Sequence, residues 1–104
     1  KIVTPFRVGD CNSHVYHQYT LRILEENRDG LAQALNAKKI PYGIYYPVPL
    51  HQQKAYVDPK LDTLTFPVTN QLVNAVISLP MHSELSVDQI EYICYELLDF
   101  LDKS

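Results

Sequence analysis

Apolar positions recur at helical spacing most regularly near the end of the chain, where Ile90, Ile93, Cys94, Leu97, Leu98 and Leu101 fall on one face. Ser86 and Gln89 have the spacing of a capping box just ahead of that run, so the final helix starts there. A two-residue alternation marks Ser13 to Leu24 instead. On it His14, Tyr16, Gln18, Thr20 and Arg22 share one face, and Val15, His17, Tyr19, Leu21 and Ile23 share the other, which predicts one long strand. Asn27 can cap the helix that follows, with Leu31, Ala34 and Leu35 as its apolar stripe and Lys38 and Lys39 suited to its C-terminal end. A second strand is expected over about Ile40 to Tyr45. His51 to Tyr56 is read as one helical turn, and Val57 to Thr65 as a polar connection with Asp58-Pro59 as its turn signal. Pro67 suits the first position of a helix whose buried side is Val68, Leu72, Val73 and Val76, before the short strand Ile77-Ser78-Leu79 ends at Pro80. Ile2 to Val8 offers a further strand.

Strands alternating with helices in this order predict an α/β two-layer sandwich, a small sheet covered by helices. The 104 residues are expected to form one domain, burying about 65% of the surface of the unfolded chain without a metal or disulfide. No apolar run approaches the length of a membrane span, and no signal peptide stands at the start. A chain beginning at Lys1, inside an apolar and proline-containing segment, is read as cut from something longer or processed. The net charge of −3, with scattered basic residues, argues against a nucleic-acid partner. Cys11 and Cys94 form no paired motif, and Cys94 is expected to act as a small hydrophobe on the last helix. A reduced, cytoplasmic protein is the simpler reading.

The chain carries no visible catalytic engine of its own. No nucleophile elbow or glycine-rich phosphate loop is present, and no carboxylate pair is marked by spacing. His14 and His17 would point to opposite faces of a strand, so no metal site is expected, and His82 is read as organising the turn before the last helix. Lys38, Lys39, Lys54 and Lys60 fall at helix ends or in polar loops, whereas a Schiff-base lysine needs a desolvated pocket. The segment from Gly43 to His51, Gly-Ile-Tyr-Tyr-Pro-Val-Pro-Leu-His, is different in kind. Pro47 and Pro49 fix their own backbone and extend Tyr46 and Val48 before them, giving a stiff loop with two phenols and an imidazole. Phenols donate hydrogen bonds to phosphate or sugar oxygens while their rings pack on flat groups. Structural packing is an equally good account of two tyrosines at a strand end, and both rings or only one would reach a ligand.

His17 to Arg22, Arg28 to Leu31, Lys39 to His51 and Ile77 to His82 together resemble, in order and spacing, the C-terminal small domain of the DegT/DnrJ/StrS sugar aminotransferases. The resemblance implies a pyridoxal-phosphate enzyme of aminotransferase fold type I that moves an amino group, usually from glutamate, onto a keto carbon of a nucleotide-linked sugar. It implies a homodimer whose larger N-terminal domain, absent here, holds the cofactor and the reactive lysine, so that residues 1–104 alone would be inactive. The substrate-binding residues it implies are Tyr45, Tyr46 and His51. Tyr46 matches the family tyrosine, and His51 a position often held by histidine. Tyr45 stands where many members carry histidine, which favours a neutral phenol donor there. The rival expectations are a free-standing α/β ligand-binding or regulatory module, and a family homologue working as a dehydratase or sensor.

Overall fold

In a computed structural model, which describes residues 1–10, 12–25, 27–61 and 63–104, three strands form an antiparallel sheet in the order β1 (Ile2–Val3), β2 (Tyr19–Ile23) and β3 (Val76–Leu79). Helices α1 (Arg28–Ala37), α2 (Pro67–Ala75) and α3 (Val87–Lys103) complete it. The expected helix-covered small sheet is therefore present. Cys11 lies outside the described residues.

The register of β2 against β3 decides which side chains face the helices. Tyr19 pairs with Leu79 and Leu21 with Ile77, and Leu21, Ile23 and Ile77 join Leu31, Ala32 and Leu35 of α1 and Leu97 and Leu101 of α3 in one core. Because side chains alternate, Thr20 and Ser78 point to the other face, where their hydroxyls bond at 2.8 Å. The first residue is tied in as well. Lys1 donates from Nζ to the carbonyls of Leu101 and Ser104, placing a cation on the negative end of α3.

The capping box forms in full: Gln89 N–H donates to Ser86 Oγ and Ser86 N–H to Gln89 Oε1. The apolar stripe behind it is only partly used. Leu97 and Leu101 are buried and Ile93 half-buried, while Ile90, Cys94 and Leu98 are exposed, because α3 meets α1 and the sheet along one edge of its stripe. Cys94 is thus an exposed free thiol, not a packed hydrophobe. In α2 the same correction applies: Val68 is exposed and Leu72, Val73 and Val76 are half-buried.

Three strands fall short of what the sequence pattern predicts, and of Ile2 to Val8 only Ile2–Val3 forms one. Residues 13–18 do not join β2, because Tyr16 adopts a left-handed backbone (φ 43°) and its N–H donates to His14 Nδ1 at 3.0 Å, turning the chain locally. Residues 40–45 make a single bridge, Gly43 to Ser78, and no strand. Asn27 occupies the cap position of α1 without a side-chain cap bond. At the other end of α1, Lys39 takes φ 58°, and the bonds Ile40 N–H to Leu35 O and Lys39 N–H to Asn36 O close a Schellman motif with lysine where glycine is usual. Lys39→Gly is therefore expected to raise stability by about 0.5–1 kcal/mol, since glycine enters the left-handed region without the Cβ penalty. The shift in the urea midpoint measures it.

Candidate functional site

The end of α1 delivers the chain to the sheet. Ile40 is buried under the Schellman closure, and three residues later Gly43 donates its N–H to Ser78 O at 3.0 Å and accepts from Ser78 N–H at 2.7 Å. That single bridge pins the start of the proline loop to the outer strand β3, beside the Thr20–Ser78 hydroxyl pair. Beyond it the two prolines act as their chemistry dictates. Pro49 is buried with φ −57° and ψ 145°, and its carbonyl accepts from Gln52 N–H to start a short 3₁₀ turn, Leu50–Gln52, followed by a second at Lys54–Tyr56. The helical turn expected over residues 51–56 is these two tighter ones. A third 3₁₀ turn, Pro59–Leu61, follows Asp58, whose carboxylate accepts from Lys60 N–H.

The two phenols of the loop are 47% and 70% exposed, Tyr45 and Tyr46 respectively. Their rings meet edge to face, 5.8 Å between centroids, and they open onto different hollows. Tyr45 lines a groove of about 250 Å³ with His17, Gln18, Pro80 and Met81 across from it. Tyr46 lines a second hollow of about 510 Å³ with Val48, Gln52 and Lys54. The Tyr45–Tyr46 peptide bond is cis. His51 lines neither hollow. Its ring packs on Phe66 at 4.5 Å, which ties the loop to the residue preceding α2.

The groove's far wall was not legible as a site. The alternation puts His17 and Gln18 on a strand, His17 facing with Tyr19; released from the strand by the turn at Tyr16, they come beside the groove instead. In the sequence Pro80 and Met81 belong to the Ser-Leu-Pro-Met-His run, where Pro80 marks a strand end and nothing points to a groove. Among the described residues no group of three or more histidine, cysteine or carboxylate side chains could hold a metal.

The lysines do not fit a cofactor Schiff base. All six are exposed, and Lys38 is held above its ordinary pKa by its hydrogen bond to and attraction from Glu96, as Lys103 is by Asp99. A nucleophilic amine needs the opposite shift, produced by burial away from anions.

Residues 1–98 match the DegT/DnrJ/EryC1/StrS aminotransferase family. The chain belongs to that family. Its relatives include nucleotide-sugar aminotransferases. One, the UDP-2-acetamido-2-deoxy-3-oxo-D-glucuronate aminotransferase of Pseudomonas aeruginosa, is 38% identical over 96 residues, which cover 92% of this chain and 25% of that protein. Among solved structures, DesV of S. venezuelae, in complex with a ketimine intermediate, superposes with a TM-score of 0.80 at 28% identity, covering 95% of this chain and 26% of the other. NtdA of Bacillus subtilis, with the cofactor PMP bound, shares the fold: TM-score 0.70 and 22% identity over 83% of this chain and 20% of that one. A Streptococcus pneumoniae protein of the same fold, 26% identical over 78% of this chain and 21% of that one (TM-score 0.64), is solved in a PMP form, which implies pyridoxal phosphate as the cofactor of the family. The chain spans about a quarter of the length of the curated relatives it matches. No helix among the described residues is long and apolar enough to cross a membrane.

Proposed function

We propose that residues 1–104 are the C-terminal small domain of a cytoplasmic, homodimeric aminotransferase that moves an amino group from glutamate to a keto carbon of a nucleotide-linked sugar. Pyridoxal phosphate supplies the electron sink in such chemistry. Since no lysine of this chain fits it, the cofactor belongs to a larger domain outside these residues, and the 104 residues alone are inactive.

The observation that carries the reading is the pair of exposed phenols on a proline-stiffened loop, pinned to the sheet at Gly43 and held at its far end by His51 on Phe66. Such a loop presents uncharged donors to diphosphate and sugar oxygens with little motion left to freeze on binding. Tyr45 and Tyr46 make these contacts, each from its own hollow, and His51 supports the loop. The neutral donors add less attraction for a diphosphate than a protonated histidine at position 45 would.

The protein that carries this chain, expressed whole, is expected to show the visible absorption of lysine-bound pyridoxal phosphate. Tyr46→Phe is expected to weaken nucleotide-sugar binding about tenfold, as loss of one good hydrogen bond does, and to leave cofactor absorption intact. A colourless protein sinks the enzyme reading; equal loss of cofactor and substrate makes Tyr46 a packing residue.

A further inference from the structure

We infer that Gly43 is a positioning residue for Tyr45: the missing Cβ at this position is what lets the phenol lie in its groove. This rests on the reading of Tyr45 as a substrate contact. A Cβ built on Gly43 would collide with Cε2 of the Tyr45 ring, and would stand 2.5 Å from Cζ and 2.6 Å from the hydroxyl oxygen, all far inside contact distance. The hydroxyl end of the side chain thus lies folded against the glycine, and its place is occupied only because position 43 has no side chain.

Flexibility does not explain the glycine. Its φ lies outside the left-handed region, so alanine is acceptable to the backbone itself. Nor can the backbone step aside to accommodate a methyl group. Gly43 is bonded in both directions to Ser78, whose hydroxyl is bonded to Thr20 on the middle strand, and Ser78 is 4% exposed. The ring of Tyr45, nearly half exposed, is the neighbour free to yield. A shift of the ring changes the groove that it lines with His17, Gln18 and Met81. A chain of contacts from Thr20 through Ser78 and Gly43 therefore sets where one substrate-facing hydroxyl sits, and a change of one methyl at residue 43 retunes the groove without touching ligand.

The test is a double-mutant cycle in the complete protein, with Gly43→Ala, Tyr45→Phe and the pair, read by calorimetric binding of UDP-N-acetylglucosamine and dTDP-glucose and by the crystal structure of Gly43→Ala. Gly43→Ala is expected to displace the Tyr45 ring, keep the melting temperature within a degree or two and raise the Kd about tenfold, while adding nothing to Tyr45→Phe. An unmoved ring in Gly43→Ala, or an equal loss of affinity in the Tyr45→Phe background, overturns the assignment. If Tyr45→Phe binds both probes as well as the wild type, or if the wild type binds neither, the substrate role given to Tyr45 fails, and the ring position alone then decides whether Gly43 seats it.

Discussion

Replacing Arg28 by alanine is expected to destabilise the protein by about 3 kcal/mol, a large effect for a side chain with no place in the groove. Arg28 is only 8% exposed. One of its terminal nitrogens donates to the carbonyls of Val73 and Val76 at 3.2 and 3.1 Å, and Nε pairs with Asp29 at 2.5 Å. The two carbonyls belong to the end of α2 and the start of β3, where the helix has run out of its own donors. A cation at that helix end also meets the favourable pole of the dipole, which offsets its poor place at the start of α1. The Asp29 partner is 80% exposed and contributes little by itself. Arg28→Met keeps the apolar stem and removes the donors, so it should recover only the packing part of the loss. Arg28→Lys should recover part of the hydrogen bonding, since an ammonium can donate to the two carbonyls but has no second nitrogen for the bond to Asp29. Urea denaturation read by circular dichroism measures all three. A loss below 1 kcal/mol for alanine would show that water satisfies the two carbonyls.

Ile77→Ala should cost about 3–4 kcal/mol, and Ile77→Val about 1. Ile77 is fully buried, opposite Leu21 on the middle strand and beneath the two long helices. Truncation leaves a void that neighbouring strands and helices cannot both close. The consequence reaches the loop because the next residue, Ser78, carries the bridge to Gly43. Amide exchange at Gly43, whose N–H is held by the Ser78 carbonyl, is therefore expected to quicken in Ile77→Ala more than exchange at the capped start of α3. Equal protection at both amides would show that the bridge survives independently of the core. Ser78→Ala is the milder contrast, since it removes one hydroxyl bond and keeps the backbone bridge.

The last helix was legible because every signal in it is local: capping residues three apart and an apolar stripe at helical spacing need nothing from the rest of the chain. The short strand before Pro80 and the helix opened by Pro67 were legible for the same reason. Residues 13–18 misled, because alternation records which faces a strand would have and not whether a neighbouring strand exists to pair with it. Residues 40–45 misled likewise, as only Gly43 meets a partner. Cys94, Ile90 and Leu98 belong to an apolar stripe that the sequence shows whole and the packing uses in part.

The candidate site divides along the same line. The residues by themselves determined a helix-covered small sheet, a stiff loop bearing Tyr45, Tyr46 and His51, and a family kinship, since proline geometry, periodicity and motif order are properties of the chain. Only the tertiary structure decided that the two phenols open onto separate hollows, that His51 packs on Phe66, that His17 and Gln18 face Tyr45, and that Gly43 makes room for its ring. Those facts depend on the turn at Tyr16, the Gly43–Ser78 bridge and the His51–Phe66 contact, which join separate segments, and no local pattern encodes which distant side chains the Ser78 bridge will gather around a loop.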